Sequence, residues 1–153
     1  MVWSRPEMDR IRKFIRLPLK DRWLLLKAAG LLAAIRLSLY LFPFPAVRPL
    51  LDRASKASQR LLVDPPRVEH LAWAVTVAGG VVPRGGHCLS QALALHILLA
   101  RRGFPSKICY GVQREPGAPF MAHAWVEHDG VVLIGGSNLN RFIRLTSTAN
   151  PPF

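Results

Sequence analysis

The sequence predicts an α+β domain, with a helical N-terminal half followed by a central helix packed on an antiparallel sheet. Three observations carry this expectation. Apolar residues recur with helical period as far as residue 102, alternation takes over after Pro105, and Asp129-Gly130 separates two apolar runs as a hairpin turn. The 153 residues, 50% hydrophobic and 20% charged, suffice for one core and are too few for a second large domain. Two parts are expected within one compact unit: a basic and apolar helical region over 1–60, and a core over 61–153 that carries the chemistry.

In chain order, Arg5, Arg10, Arg12, Lys13, Arg16 and Lys20 interleave with Trp3, Met8, Ile11, Phe14, Ile15 and Leu17 at roughly helical spacing, which reads as a short amphipathic basic helix. Residues 23–42 are dense in Leu and Ala between Pro18 and Pro43, and twenty such residues can just cross a bilayer. Lys27 and Arg36 lie inside that run, however, and each costs roughly 2.5–3.5 kcal/mol near the middle of a spanning helix. A buried or partner-facing helix is the better reading. Residues 52–60 are polar and helical in pattern, and Asp64, Pro65 and Pro66 mark a turn. Residues 67–78 form a helix with Val68, Leu71, Ala72, Val75 and Ala78 on one stripe. Residues 82–87 are a glycine-containing loop. Residues 88–102 form an apolar helix stopped by Gly103, with Arg101 and Arg102 complementing its negative end. Strands are expected at 107–112, 121–128 and 131–134, with a loop at 114–119 and a short edge strand at 141–145.

Twenty-one Lys and Arg against nine Asp and Glu give a net charge of +12, which calls for an anionic partner or membrane surface. Nucleic acid is not the expected partner, because basic residues interleaved with aromatics on one sheet face or a recognition helix are scarce. Two cysteines cannot make a disulfide scaffold, and no apolar run at the extreme N-terminus ends in a small-residue cleavage site. The expected location is the cytoplasm, peripheral at the inner membrane face.

The reactive constellation begins at Cys88. A thiol attacks only as thiolate, and a helix N-terminus stabilises that anion with unpaired N–H groups. Gly85 and Gly86 let backbone approach a substrate closely, and the Cys88 N–H can help hold an oxyanion. The base is expected at His123, which opens the run Ala122-His123-Ala124-Trp125-Val126-Glu127 and shares a strand face with Trp125 and Glu127. Gly86, His87, Gln91 and Trp125 are the expected substrate contacts, although Gln91 reads equally as an exposed helix residue. Cys109 lies within a strand and reads as core. His87 with Cys88 and His123 matches no zinc spacing, so neither metal nor cofactor is expected.

These residues carry a resemblance. His-Cys-Leu-Ser-Gln-Ala-Leu-Ala-Leu at 87–95, Leu-Leu-Ala-Arg-Arg-Gly-Phe-Pro-Ser at 98–106, Tyr-Gly-Val at 110–112 and Ala-His-Ala-Trp-Val-Glu-His-Asp-Gly at 122–130 resemble the transglutaminase-like cysteine peptidases of lasso peptide biosynthesis. The resemblance implies a papain/transglutaminase-like core. It further implies an enzyme that removes the leader from a ribosomally made precursor peptide before a separate ATP-using lasso cyclase closes the ring. The short chain resembles the stand-alone form, which implies a separate PqqD-like leader-recognition protein as partner.

One departure concerns the third catalytic group. The family pattern places an acid about twelve residues after the histidine, where this chain has Gly135. Glu127 lies about 13 Å along the strand from His123 and Asp129 about 20 Å, too far to orient the ring. Asn138 is the favoured substitute, with Asn140 the other amide in reach and a backbone carbonyl the remaining choice. Two rival functions use the same residues: acyl transfer, with an amine in place of water, and a non-catalytic peptide-binding or membrane-associated module.

Overall fold

The computed structural model describes residues 16–43, 45–46, 49, 53, 67–81, 87–113 and 119–149. Among the described residues, three long helices precede the sheet: α1 (Leu19–Leu41), α2 (Val68–Val81) and α3 (His87–Ala100). Four strands follow, β1 (Lys107–Gln113), β2 (Met121–His128), β3 (Val131–Ile134) and β4 (Ile143–Ala149), with a 3-10 turn at Leu139–Arg141 before β4. The expected α+β architecture is therefore present. The basic helix expected before residue 16, the helix expected over 52–60 apart from Arg53, and the loops at 82–86 and 114–118 lie outside the described residues.

The sheet is antiparallel throughout, in the order β3-β2-β1-β4. Its central hairpin is set by the register Gly111 opposite His123 and Lys107 opposite Glu127. Between β2 and β3, Asp129 and Gly130 both take positive φ, 47° and 79°, as a two-residue turn matching strand twist requires. β4 is longer than the sequence suggested and starts later, because Leu139–Arg141 coil into the 3-10 turn first.

One hydrophobic core joins all three helices to the sheet. Leu24, Leu25, Ala28, Leu32 and Ile35 of α1 meet the predicted stripe of α2 at Leu71, Ala72, Val75 and Ala78. The buried Leu93, Leu95, Ile97 and Leu99 of α3 carry that core to Ile108, Ala124, Val126 and Ile134 of the sheet. Buried apolar area of this extent is the main favourable term for the fold. α1 begins earlier than its apolar run because Pro18, whose fixed φ suits a helix start, supplies the carbonyl for the N–H groups of Asp21 and Arg22. Its length and composition would allow it to cross a membrane, yet one side belongs to this core. Arg36, within its apolar run, reaches the Ser90 hydroxyl of α3 at 3.4 Å.

α3 ends as the sequence suggests. Gly103 has φ +76°, its N–H bonds to the Ala100 carbonyl, and the Phe104 N–H bonds to the Leu99 carbonyl. This Schellman pair satisfies carbonyls the helix would otherwise leave bare.

Candidate active site

Cys88 is the second residue of α3, half-exposed and a free thiol. Its position in the first turn puts it among backbone N–H groups that no intrahelical carbonyl satisfies, at the positive end of the helix dipole. At the other end of α3, the His128 ring donates through Nδ1 to the Pro105 carbonyl and meets Phe104 edge-on at 5.9 Å. That contact ties the end of β2 to the end of α3. Counting back, Cys88 lies about 18 Å down the helix from Ala100, and His123 lies about 17 Å down the strand from His128. Thiol and imidazole therefore sit at the same end of the helix-on-sheet layer.

His123 is held from three sides. Its Nε2 lies 2.8 Å from the Gly135 carbonyl oxygen. A carbonyl only accepts, so Nε2 carries the proton and Nδ1 keeps its lone pair in the neutral ring. Trp125 stacks at 6.2 Å between centroids and 24° between planes, and Phe142 closes the other approach at 4.9 Å. The ring shares its strand face with Trp125 and Glu127, whereas Ala124 and Val126 face the helices. Among the described residues, no hydrogen bond joins the Cys88 sulfur to this ring. The ring lies on the sheet face turned from α3, so thiol and imidazole share an end of the layer without being brought into contact there.

Behind the histidine lies a second polar group. The buried Trp125 indole packs over Gly111, where a Cβ would come within 3.0 Å of its ring. Its N–H donates to Glu127 Oε1 at 2.9 Å. Arg144 of β4 pairs with the same carboxylate, lies 5.5 Å over the indole, and donates to the Cys109 sulfur. The Arg144 guanidinium holds the Glu127 carboxyl below the usual carboxylate range. Burial pushes the Cys109 thiol up, against the pull of the same guanidinium. Cys109 is fully buried and in no disulfide, in keeping with a core role.

The cysteine in the first turn of α3 and the histidine near the start of β2 both lie in the stretch that comparison with known families matches. The sequence profile of the Transglutaminase-like superfamily matches residues 29–147. The chain belongs to this superfamily. No curated protein and no solved structure matches it. The match runs from within α1 to β4, and so includes both Cys88 and His123. The superfamily comprises cysteine peptidases and acyl transferases.

Within this transglutaminase-like domain, several expected contacts fall elsewhere. The group that meets the His123 ring is the Gly135 carbonyl: the chain turns at Gly135 with φ +77° and brings its own oxygen onto Nε2. Asn138 is exposed, in a left-handed conformation at the start of the 3-10 turn, with no side-chain cap bond. Gln91 is half-buried. It seats on Gly79 of α2, where a Cβ would fall inside the van der Waals envelope of its amide. Trp125 is a wall for His123, its N–H already used by Glu127. Gly86 lies outside the described residues, and His87 opens α3. Sequence reasoning passed over Phe142 and Arg144, and singled out Gly135 only as the slot of the missing acid, with a backbone carbonyl among the choices there. The alternation of apolar and basic residues at 141–145 was the available signal for Phe142 and Arg144.

Proposed function

We propose that this chain is a cysteine peptidase that removes the leader from a ribosomally synthesised lasso precursor peptide. The placement of Cys88 and His123 at one end of α3 and β2, with His123 Nε2 fixed on the Gly135 carbonyl, is the observation that carries the reading. In the reaction the imidazole comes round the strand end to the thiol at that shared end, its Nδ1 lone pair takes the thiol proton, and the thiolate at the helix start attacks the scissile carbonyl. The Cys88 backbone N–H stabilises the oxyanion, and the imidazolium returns its proton to the leaving amine. Water then hydrolyses the thioester, releasing the second fragment with a free carboxyl end. The reaction takes place in the cytoplasm. A separate PqqD-like protein presents the leader and a lasso cyclase consumes the core peptide; the resemblance of residues 87–130 to lasso leader peptidases supports both partners.

The test is cleavage of a precursor by the purified chain with its leader-binding partner, read by mass spectrometry. Cys88→Ala is expected to lower cleavage by about 10³-fold or more, while circular dichroism and precursor association stay close to wild type. Unchanged cleavage by that variant refutes the peptidase assignment. Products carrying an amine adduct in place of a free carboxyl end assign acyl transfer instead.

A further inference from the structure

α1 has two faces, and the proposed peptidase reaction uses neither. Leu19, Trp23, Leu26, Gly30, Ala33, Leu37 and Tyr40, spaced alternately four and three apart, form one exposed stripe about 32 Å long. It is no thin scatter: Trp23 is 64% exposed, Leu37 59% and Tyr40 88%. The opposite side is fixed in the core through Leu24, Leu25, Ala28, Leu32 and Ile35, so the helix cannot leave the domain to span a bilayer.

We propose that this outward face of α1 docks on an anionic bilayer, with the helix lying in the plane of the interface. Charge chooses the occupant. The exposed side carries Lys20 and Lys27 and no carboxylate; Asp21, the one acid in α1, turns to His70 at 3.2 Å. Lys27 stands 5.9 Å over the Trp23 ring, its stem along apolar surface and its ammonium free to reach lipid phosphates. Arg5, Arg10, Arg12, Lys13 and Arg16 precede the helix in the sequence. A second copy docked stripe to stripe brings no negative charge, and two chains of net charge +12 repel. A bilayer with anionic headgroups supplies both the apolar layer and the countercharge. Trp23 near one end, with Tyr40 and Phe42 at the other, suits headgroup depth, where amphipathic rings concentrate.

The experiment is co-sedimentation of the full chain with phosphatidylglycerol-containing vesicles and with pure phosphatidylcholine vesicles, beside the double variant Leu26→Glu/Leu37→Glu. Both positions are exposed, so its circular dichroism and melting temperature should match wild type. Wild type is expected to bind the anionic vesicles, with at least tenfold weaker partition on pure phosphatidylcholine, in high salt and in the variant. Absence of binding, or equal binding by a folded variant, overturns the proposal. So does analytical ultracentrifugation showing a wild-type dimer that the variant abolishes, which would make the stripe a contact between copies. A variant that fails to fold is replaced by Leu37→Ser/Tyr40→Ser, read by the same partition ratio. None of these outcomes depends on cleavage, so they are separable from the peptidase reading.

Discussion

Gly135 occupies the position where an orienting acid was expected, and its geometry explains why no acid stands there. Its φ is +77°, and a Cβ would sit 2.8 Å from the Ala124 carbonyl oxygen and 2.9 Å from the Trp125 Cβ. An aspartate at this position could not restore a carboxylate to the ring without pushing β2 aside. Gly135→Ala is therefore expected to cost about 1–3 kcal/mol of stability. At about 2–4 °C per kcal/mol for a chain somewhat longer than 150 residues, a thermal melt resolves that. Because the same shift moves the carbonyl off Nε2, cleavage should fall even at temperatures where the variant is fully folded. A variant with wild-type melting and turnover would show that this carbonyl does not position the ring.

The α2–α3 contact is a close approach of two helices made possible by one missing side chain. Gly79 lowers the helical propensity of α2, yet it gives Gln91 a seat between the helices. Gly79→Ala gains propensity and turns out only the flexible end of the half-buried Gln91 side chain, so the net change should stay within about 1 kcal/mol. In a Gln91→Ala background the same substitution should stabilise by about 1 kcal/mol, a coupling that a double-mutant cycle in urea measures. Strictly additive effects would mean the two residues do not share the space. Elements of this kind show where sequence reading stops. The helix periods, Gly103 as a left-handed cap and the Asp129-Gly130 turn are local, so they were legible before any coordinates. The Gly79–Gln91 contact, the Phe142 cover on His123 and the Arg144–Glu127 pair join residues from different elements. Hydrophobic period carries no information on such meetings. The 3-10 turn at Leu139–Arg141 was missed for another reason: it is too short to have a period.

Across the whole molecule, helices and sheet share one core, so acid should act on it cooperatively. Among the described residues, Glu127 is the carboxylate whose folded value the structure depresses, through Arg144 first and the Trp125 N–H as well. Its contribution is fully present above the unfolded value, near about 4.3, and is lost as pH falls through the lower folded value. Melting temperature should accordingly fall below about pH 4.3, and Glu127→Gln should flatten that part of the curve. An unchanged acid limb in the variant would place the acid sensitivity elsewhere. The imidazole, by contrast, leans on an oxygen that belongs to the main chain and has no proton to gain. Acid that silences a carboxylate leaves this acceptor intact, and no codon spells it. A survey of this superfamily that scores only side chains would record no partner for this ring where the peptide unit itself supplies one.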